Sequence, residues 1–185
     1  MRLSILMVLI LLFSCKSDNH SATEYTVGLI SIVANAKSTF KELKGIDSYV
    51  ANLIVHKDTF YIEYGKGIYK LNEPNPTVFP IDQKENIEKL SGNKITEADE
   101  VRFSETAEED REQNIFSKQY YLYDTINGII AKIVQPKNIG DGITGLYIYK
   151  LKDGNSLSIY AKNIDSSSYL EALQMFRTIK YNKTP

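Results

Sequence analysis

Gln119-Tyr120-Tyr121-Leu122-Tyr123-Asp124-Thr125-Ile126-Asn127-Gly128-Ile129-Ile130-Ala131-Lys132-Ile133-Val134-Gln135 is the stretch that decides the fold. Two runs rich in β-branched and aromatic residues flank Asn127-Gly128, a pair that tolerates positive φ at low cost and so closes a turn. Period-two alternation puts Ile129, Ala131 and Ile133 on one side. The same grammar continues downstream. Gln119–Asp124, Gly128–Gln135, Ile143–Lys150 and Ser156–Ala161 read as four strands, with Asp153-Gly154 marking another turn and Leu157, Ile159 and Ala161 sharing a face.

Outward from this meander, Ser166 to Lys180 reads as a helix. Ser168 and Glu171 form a capping box, and Leu170, Leu173, Phe176 and Ile179 supply the apolar stripe. Toward the N-terminus, Ser31 to Lys44 also reads as a helix. Ile32, Val33, Ala36, Phe40 and Leu43 recur at three and four, and Gly45 sits where a left-handed stop is wanted. Tyr49–Val55 and Thr59–Tyr64 read as strands, and Gly65-Lys66-Gly67 as a turn that makes Thr59–Leu71 a hairpin. After a proline-marked loop (Pro74 to Pro80), Asp82–Ser91 reads as a short helix with an Asp82/Glu85 capping box. Ile87 and Leu90 would face inward and Gly92 would stop the run. Val101–Phe103 is a weak strand. Runs of strands without strict strand–helix alternation point to a single α+β domain. Its mainly antiparallel sheet has six or seven strands packed against N- and C-terminal helices.

Charge is balanced overall but not locally. The chain carries 22 basic and 23 acidic residues, which excludes the basic excess of a nucleic-acid binder. From Glu97 to Glu112, eight acidic residues meet only Arg102 and Arg111, so this window alone is −6. The acidic stretch after Phe103 reads as loop or exposed helix. Thirteen tyrosines and 11% aromatic residues argue for a packed fold, not for disorder.

The first fifteen residues carry a separate signal. Arg2 supplies a positive start, Ile5 to Phe13 is an unbroken apolar run, and Ser14-Cys15 closes it. The run is about half of the roughly 20 residues that a helix needs to cross a bilayer, so residues 1–14 read as a cleaved signal peptide. Leu12-Phe13-Ser14-Cys15 resembles the lipobox of bacterial lipoproteins, which implies lipidation at Cys15. Cys15 is the only cysteine, so an internal disulfide is out of reach and the thiol needs another use. One acyl chain holds a protein only reversibly; the additional chains that the resemblance implies make attachment lasting. Residues 15–24 are polar and small, a solvated tether. The tether is also similar to the Ser/Asp-containing tag that carries some lipoproteins to the surface. The reading places the protein on the outer membrane and leaves both its periplasmic and its surface face open. Residues 25–185 form the domain.

The order of elements ends in a β-hairpin and an amphipathic helix carrying Met175-Phe176-Arg177-Thr178-Ile179. In this it resembles the Mog1/PsbP group of α+β domains over about the last third of the chain. That resemblance implies a structural or chaperone role in the envelope.

Chemistry is sparse. Gly140-Asp141-Gly142-Ile143-Thr144-Gly145 matches G-x-G-x-x-G in letters, but a strand pattern follows it. No helix N-terminus would meet a pyrophosphate, and the motif is rejected. No metal or cofactor is expected. His20 falls in the tether and His56 beside a turn, without the clustered ligands that a metal needs. The acidic window could pair carboxylates for glycoside hydrolysis, yet an exposed run is more often a solvated face. Tyr120, Tyr121 and Tyr123, then Tyr147, Tyr149 and Tyr160, fall in neighbouring strands, with Tyr147 and Tyr149 on one face. Packing under the helices is the favoured role; a rigid face for gripping a partner or stacking on sugar rings is the alternative.

The sequence therefore describes a non-catalytic, lipid-anchored binding protein with a protein partner and no nucleic acid. Its candidate contact residues are Glu105, Glu108, Glu109, Asp110, Tyr147 and Tyr149. An envelope immunity protein, whose acidic window plugs a basic cleft, is the specific form of that reading. An envelope enzyme acting on cell-wall or carbohydrate material is the competing class.

Overall fold

The computed structural model describes residues 22–73, 75–96 and 99–182. Cys15, the signal peptide, His20 and Glu97 lie outside them. The class is the expected one, α+β and mainly antiparallel. Seven antiparallel strands form the main sheet: β3 (Thr39–Leu43), β4 (Tyr49–Val55), β5 (Asp58–Gly65), β8 (Gln119–Ile126), β9 (Ile129–Pro136), β10 (Ile143–Ile148) and β11 (Ser156–Lys162). Their spatial order is β3-β4-β5-β11-β10-β9-β8. The four-strand meander is thus as expected. Its first hairpin turns through Asn127 (φ 48°) and Gly128 (φ 81°), a pair of positive φ values that matches strand twist.

One face of this sheet is closed by α3 (Ser166–Arg177) and by a small sheet of β1 (Ala22–Val27), β2 (Ile30–Asn35) and β12 (Lys180–Tyr181). Between them they enclose the main core. Leu53, Ile62, Ile133, Leu146 and Ile159 come from the large sheet, Ile30 and Ile32 from β2, and Met175 and Phe176 from α3. Asp165 caps α3 by accepting from the Ser168 N–H at 3.0 Å. The Ser168/Glu171 box is therefore not the cap used, and the helix stops at Arg177. Its buried stripe is Ser168, Ala172, Met175 and Phe176, while Leu170 faces solvent.

The N-terminal helix is not formed. Residues 31–44 are instead the end of β2, a turn and β3. Ile30, Ile32 and Ala34 are buried at period two against the core, and Asn35 breaks the run. Its side chain accepts from the Lys37 N–H at 3.0 Å and its carbonyl from the Ser38 N–H at 2.8 Å. Such local competition favours a turn over a helix. The tether boundary also moves, because β1 pairs with β2 from Ala22 onward, taking in Ala22, Thr23 and Glu24.

The Thr59–Leu71 hairpin is absent too. β5 pairs with β4 through the His56-Lys57 turn and with β11 on its other side, so no edge is free for residues 68–71. Those residues cross the second face of the large sheet instead. There Ile68 and Leu71 pack with Val134, Ile143 and Tyr147 in a smaller core. The chain then forms β6 (Thr77–Pro80), a 3-10 turn, α1 (Lys84–Ser91) and β7 (Val101–Ser104), with β6 and β7 parallel. α2 (Ala107–Glu112) follows before the chain re-enters the large sheet at β8. α1 buries no residue and has no side-chain cap at its start, so neither the Asp82/Glu85 box nor an inward Leu90 is realised. Among the described residues no helix is long and apolar enough to cross a membrane.

Candidate functional site

The second sheet face is where side chains of mixed chemistry gather. Register aligns Tyr123, Lys132, Tyr147, Ser158 and Glu63 in one row, and Tyr121, Val134, Gly145, Tyr160 and Tyr61 in the next. Gly145 has a specific use in the second row. A Cβ there would meet Leu71 Cδ1 at 2.7 Å and Tyr160 Cβ at 2.9 Å. Its missing side chain lets the crossing segment lie close on the sheet. The third glycine of the rejected dinucleotide motif is thus a packing residue, and the chain after Gly142 is indeed a strand.

Leu71 has a left-handed backbone (φ 56°) and is fully buried. That conformation costs a side-chain-bearing residue about 1–2 kcal/mol. Burying a leucine returns about 1.5–3 kcal/mol, so packing holds the twist in place. The twist turns Lys70 and Asn72 onto one target. Lys132 Nζ donates to the Lys70 carbonyl and to Asn72 Oδ1, the latter at 2.6 Å. It also lies 5.5 Å from the centroids of both Tyr121 and Tyr147. Lys132 is only 8% exposed, yet no carboxylate pairs with it among the described residues. Burial first, and repulsion from Lys70 second, holds its ammonium below the usual lysine range.

Above Lys132 opens a pocket of about 260 Å³ walled by Tyr123, Ile130, Tyr147 and Tyr149. Tyr147 is buried (8%) and forms the floor; Tyr123, Ile130 and Tyr149 are 74%, 72% and 70% exposed. The shared face of Tyr147 and Tyr149 was legible from alternation. Next to the pocket the aromatic rows serve packing. Tyr160 stacks edge-on to Tyr69 at 5.1 Å and donates to Glu63 at 3.2 Å. Burial and then Glu63 push its phenol up to about 12.

The acidic window divides. Asp110 is buried and turned inward, its carboxylate accepting from the Ser104 and Thr106 hydroxyls. It therefore serves α2 and β7, and it does not stand on the contact surface where the sequence placed it. Glu105, Glu108, Glu109 and Glu112 do share an open depression of about 490 Å³ on α2. His56 is a turn residue, as expected, but it also has a partner that spacing did not reveal. Its Nε2 lies 2.9 Å from Glu171 Oε2 on α3, at the mouth of a cleft of about 420 Å³. Ser167, on the same cleft, donates to Asp165 at 2.7 Å, so no Ser–His contact is made. Among the described residues no three His, Cys, Asp or Glu side chains could share a metal ion.

Lys132 escaped sequence reasoning. Its neighbours Ala131 and Ile133 point to the opposite face, and a lysine out of phase with them reads as solvent-exposed. The cover arrives from 60 residues away, at Asn72.

No family model and no curated protein matches the chain. Among solved structures, it is similar to the solution structure of cyanobacterial PsbP (CyanoP) from Synechocystis sp. PCC 6803, with a TM-score of 0.42 and 9% identity. The match covers 92% of this chain and 99% of that one.

Proposed function

We propose that this chain is a bacterial envelope lipoprotein, acylated at Cys15 and held on the outer membrane, whose domain works by binding and not by catalysis. The observation that carries the binding half is the exposed trio Tyr123, Ile130 and Tyr149 over a buried lysine. Large rings standing in solvent on a rigid strand scaffold lose little conformational freedom on contact and offer much area. The anchor half rests on the leader and on the lone thiol. A second binding reading, an immunity protein that meets a basic partner, is favoured by the four glutamates around the α2 depression.

Two measurements test this. Cys15→Ala is expected to move the protein out of the membrane fraction or to leave its leader uncleaved. Metabolic labelling with a fatty acid should mark the wild-type chain only, and an unlabelled wild type removes the anchor. For the domain, capture from the cognate envelope extract is compared between Tyr123→Ala/Tyr149→Ala and Glu105→Lys/Glu108→Lys/Glu109→Lys. Loss in the tyrosine pair alone supports the first surface, and loss in the glutamate triple alone supports the second. Capture that neither variant alters removes both.

A further inference from the structure

We infer that the pocket above Lys132 takes a single acidic sugar ring, a pyranose carrying one carboxylate. This deepens the binding reading and rests on it. Four observations converge. Among the described residues, the pocket is lined by two cations, Lys132 and Lys70, and by no acidic residue. Lys132 uses two of its three N–H groups on Lys70 and Asn72, leaving one donor for an anion. A buried ammonium without a counter-charge is stabilised by any carboxylate that reaches it. The ligand is expected to supply the missing negative charge.

The rest of the lining fixes the remainder of the ligand. Tyr123 and Tyr149 expose most of their surface, and a flat C–H face of a sugar ring packs on such rings. The hydroxyls of Tyr123, Tyr147 and Tyr149 make no hydrogen bond among the described residues, although the Tyr147 side chain is nine-tenths buried. Asn72 spends its carbonyl on Lys132 and keeps its amide donors. Unused donors and acceptors beside apolar walls suit a hydroxylated ring better than a hydrocarbon acid. At about 260 Å³ the space lies below the roughly 300–1,000 Å³ of drug-sized sites, so one ring fits and an extended chain does not.

The test is ligand-observed NMR on the full-length protein in detergent micelles, with galacturonate, galactose and benzoate as probes. Saturable galacturonate binding is expected, with galactose at least tenfold weaker and benzoate without effect. Tyr149→Ala should weaken galacturonate at least tenfold. Lys132→Met should reduce the preference for galacturonate over galactose to near unity. Should Lys132→Met fail to fold by circular dichroism, Lys70→Met, an exposed rim position, must still lower that preference several-fold. Equal binding of galactose overturns the charge assignment, and benzoate binding as well as galacturonate overturns the sugar. No binding of any probe overturns the proposal. If capture from envelope extract still depends on Tyr123 and Tyr149 in that case, the broader binding reading stands and only the ligand class falls.

Discussion

Gly145 shows how much one missing methyl can organise. Leu71 seats over this glycine, between the two residues of the crossing segment that hold Lys132. Alanine there would press on Leu71, on the Ile159 carbonyl at 2.9 Å and on Tyr160. Two of these contacts are with strand β11, which cannot retreat without breaking its ladder. Gly145→Ala is therefore expected to cost about 1–3 kcal/mol in urea unfolding. It should also loosen Lys70 and Asn72 from Lys132, seen as faster exchange of amide hydrogens across residues 68–72. A variant with wild-type stability and exchange would show that Leu71 does not depend on the gap.

At the level of elements, α3 illustrates how a cap ties a helix to the sheet it covers. Asp165 accepts from the Ser167 hydroxyl at 2.7 Å and the Ser168 N–H at 3.0 Å, with Lys57 Nζ at 3.1 Å. These partners, the Ser167 hydroxyl foremost, hold its carboxyl well below the usual carboxylate range. A group whose pKa is depressed by folding adds stability above its unfolded value of about 3.9, and that stability is lost as pH falls below it. Asp165→Asn keeps an N-cap acceptor but no titration. It is expected to lower Tm at pH 7, where the charge of Asp165 contributes, and to flatten the decline of Tm below about pH 4, so that the variant and the wild type converge in acid. Asp165→Ala should lower Tm at both. If all three proteins share one acid limb, Asp165 is not the titrating cap.

For the molecule as a whole, the division of labour lies between two sheet faces. The main core is closed by α3, and Phe176 is its largest fully buried contribution from that helix. Phe176→Ala is expected to cost about 3–5 kcal/mol, a large share of the roughly 5–15 kcal/mol that holds a domain together. Urea unfolding with an unchanged slope and a shifted midpoint would report this. A loss below about 1 kcal/mol would mean that α3 is a lid and not part of the core. The second face holds a smaller cluster of Ile68, Leu71, Val134, Ile143 and Tyr147, so it can leave a pocket open beside it.

The meander was written in the sequence because its signals are local. Period-two alternation and Asn127-Gly128 act within a few residues and agree with each other, and here no distant segment reverses them. Fold class, the second glycine turn and the shared face of Tyr147 and Tyr149 follow from the same short-range physics. Where local patterns were ambiguous, tertiary packing decided. Ile32, Val33, Ala36 and Phe40 fit a helical stripe, but Ile30, Ile32 and Ala34 had a core to face at period two, and Asn35 supplied the turn. The candidate site lay furthest from view. Lys132 is covered by residues 70 and 72, which cross the sheet on a left-handed Leu71 and meet it from a distant part of the chain, and by the rings of Tyr121 and Tyr147. A contact over 60 residues leaves no periodicity behind; it exists only once burial has offset the strain that creates it.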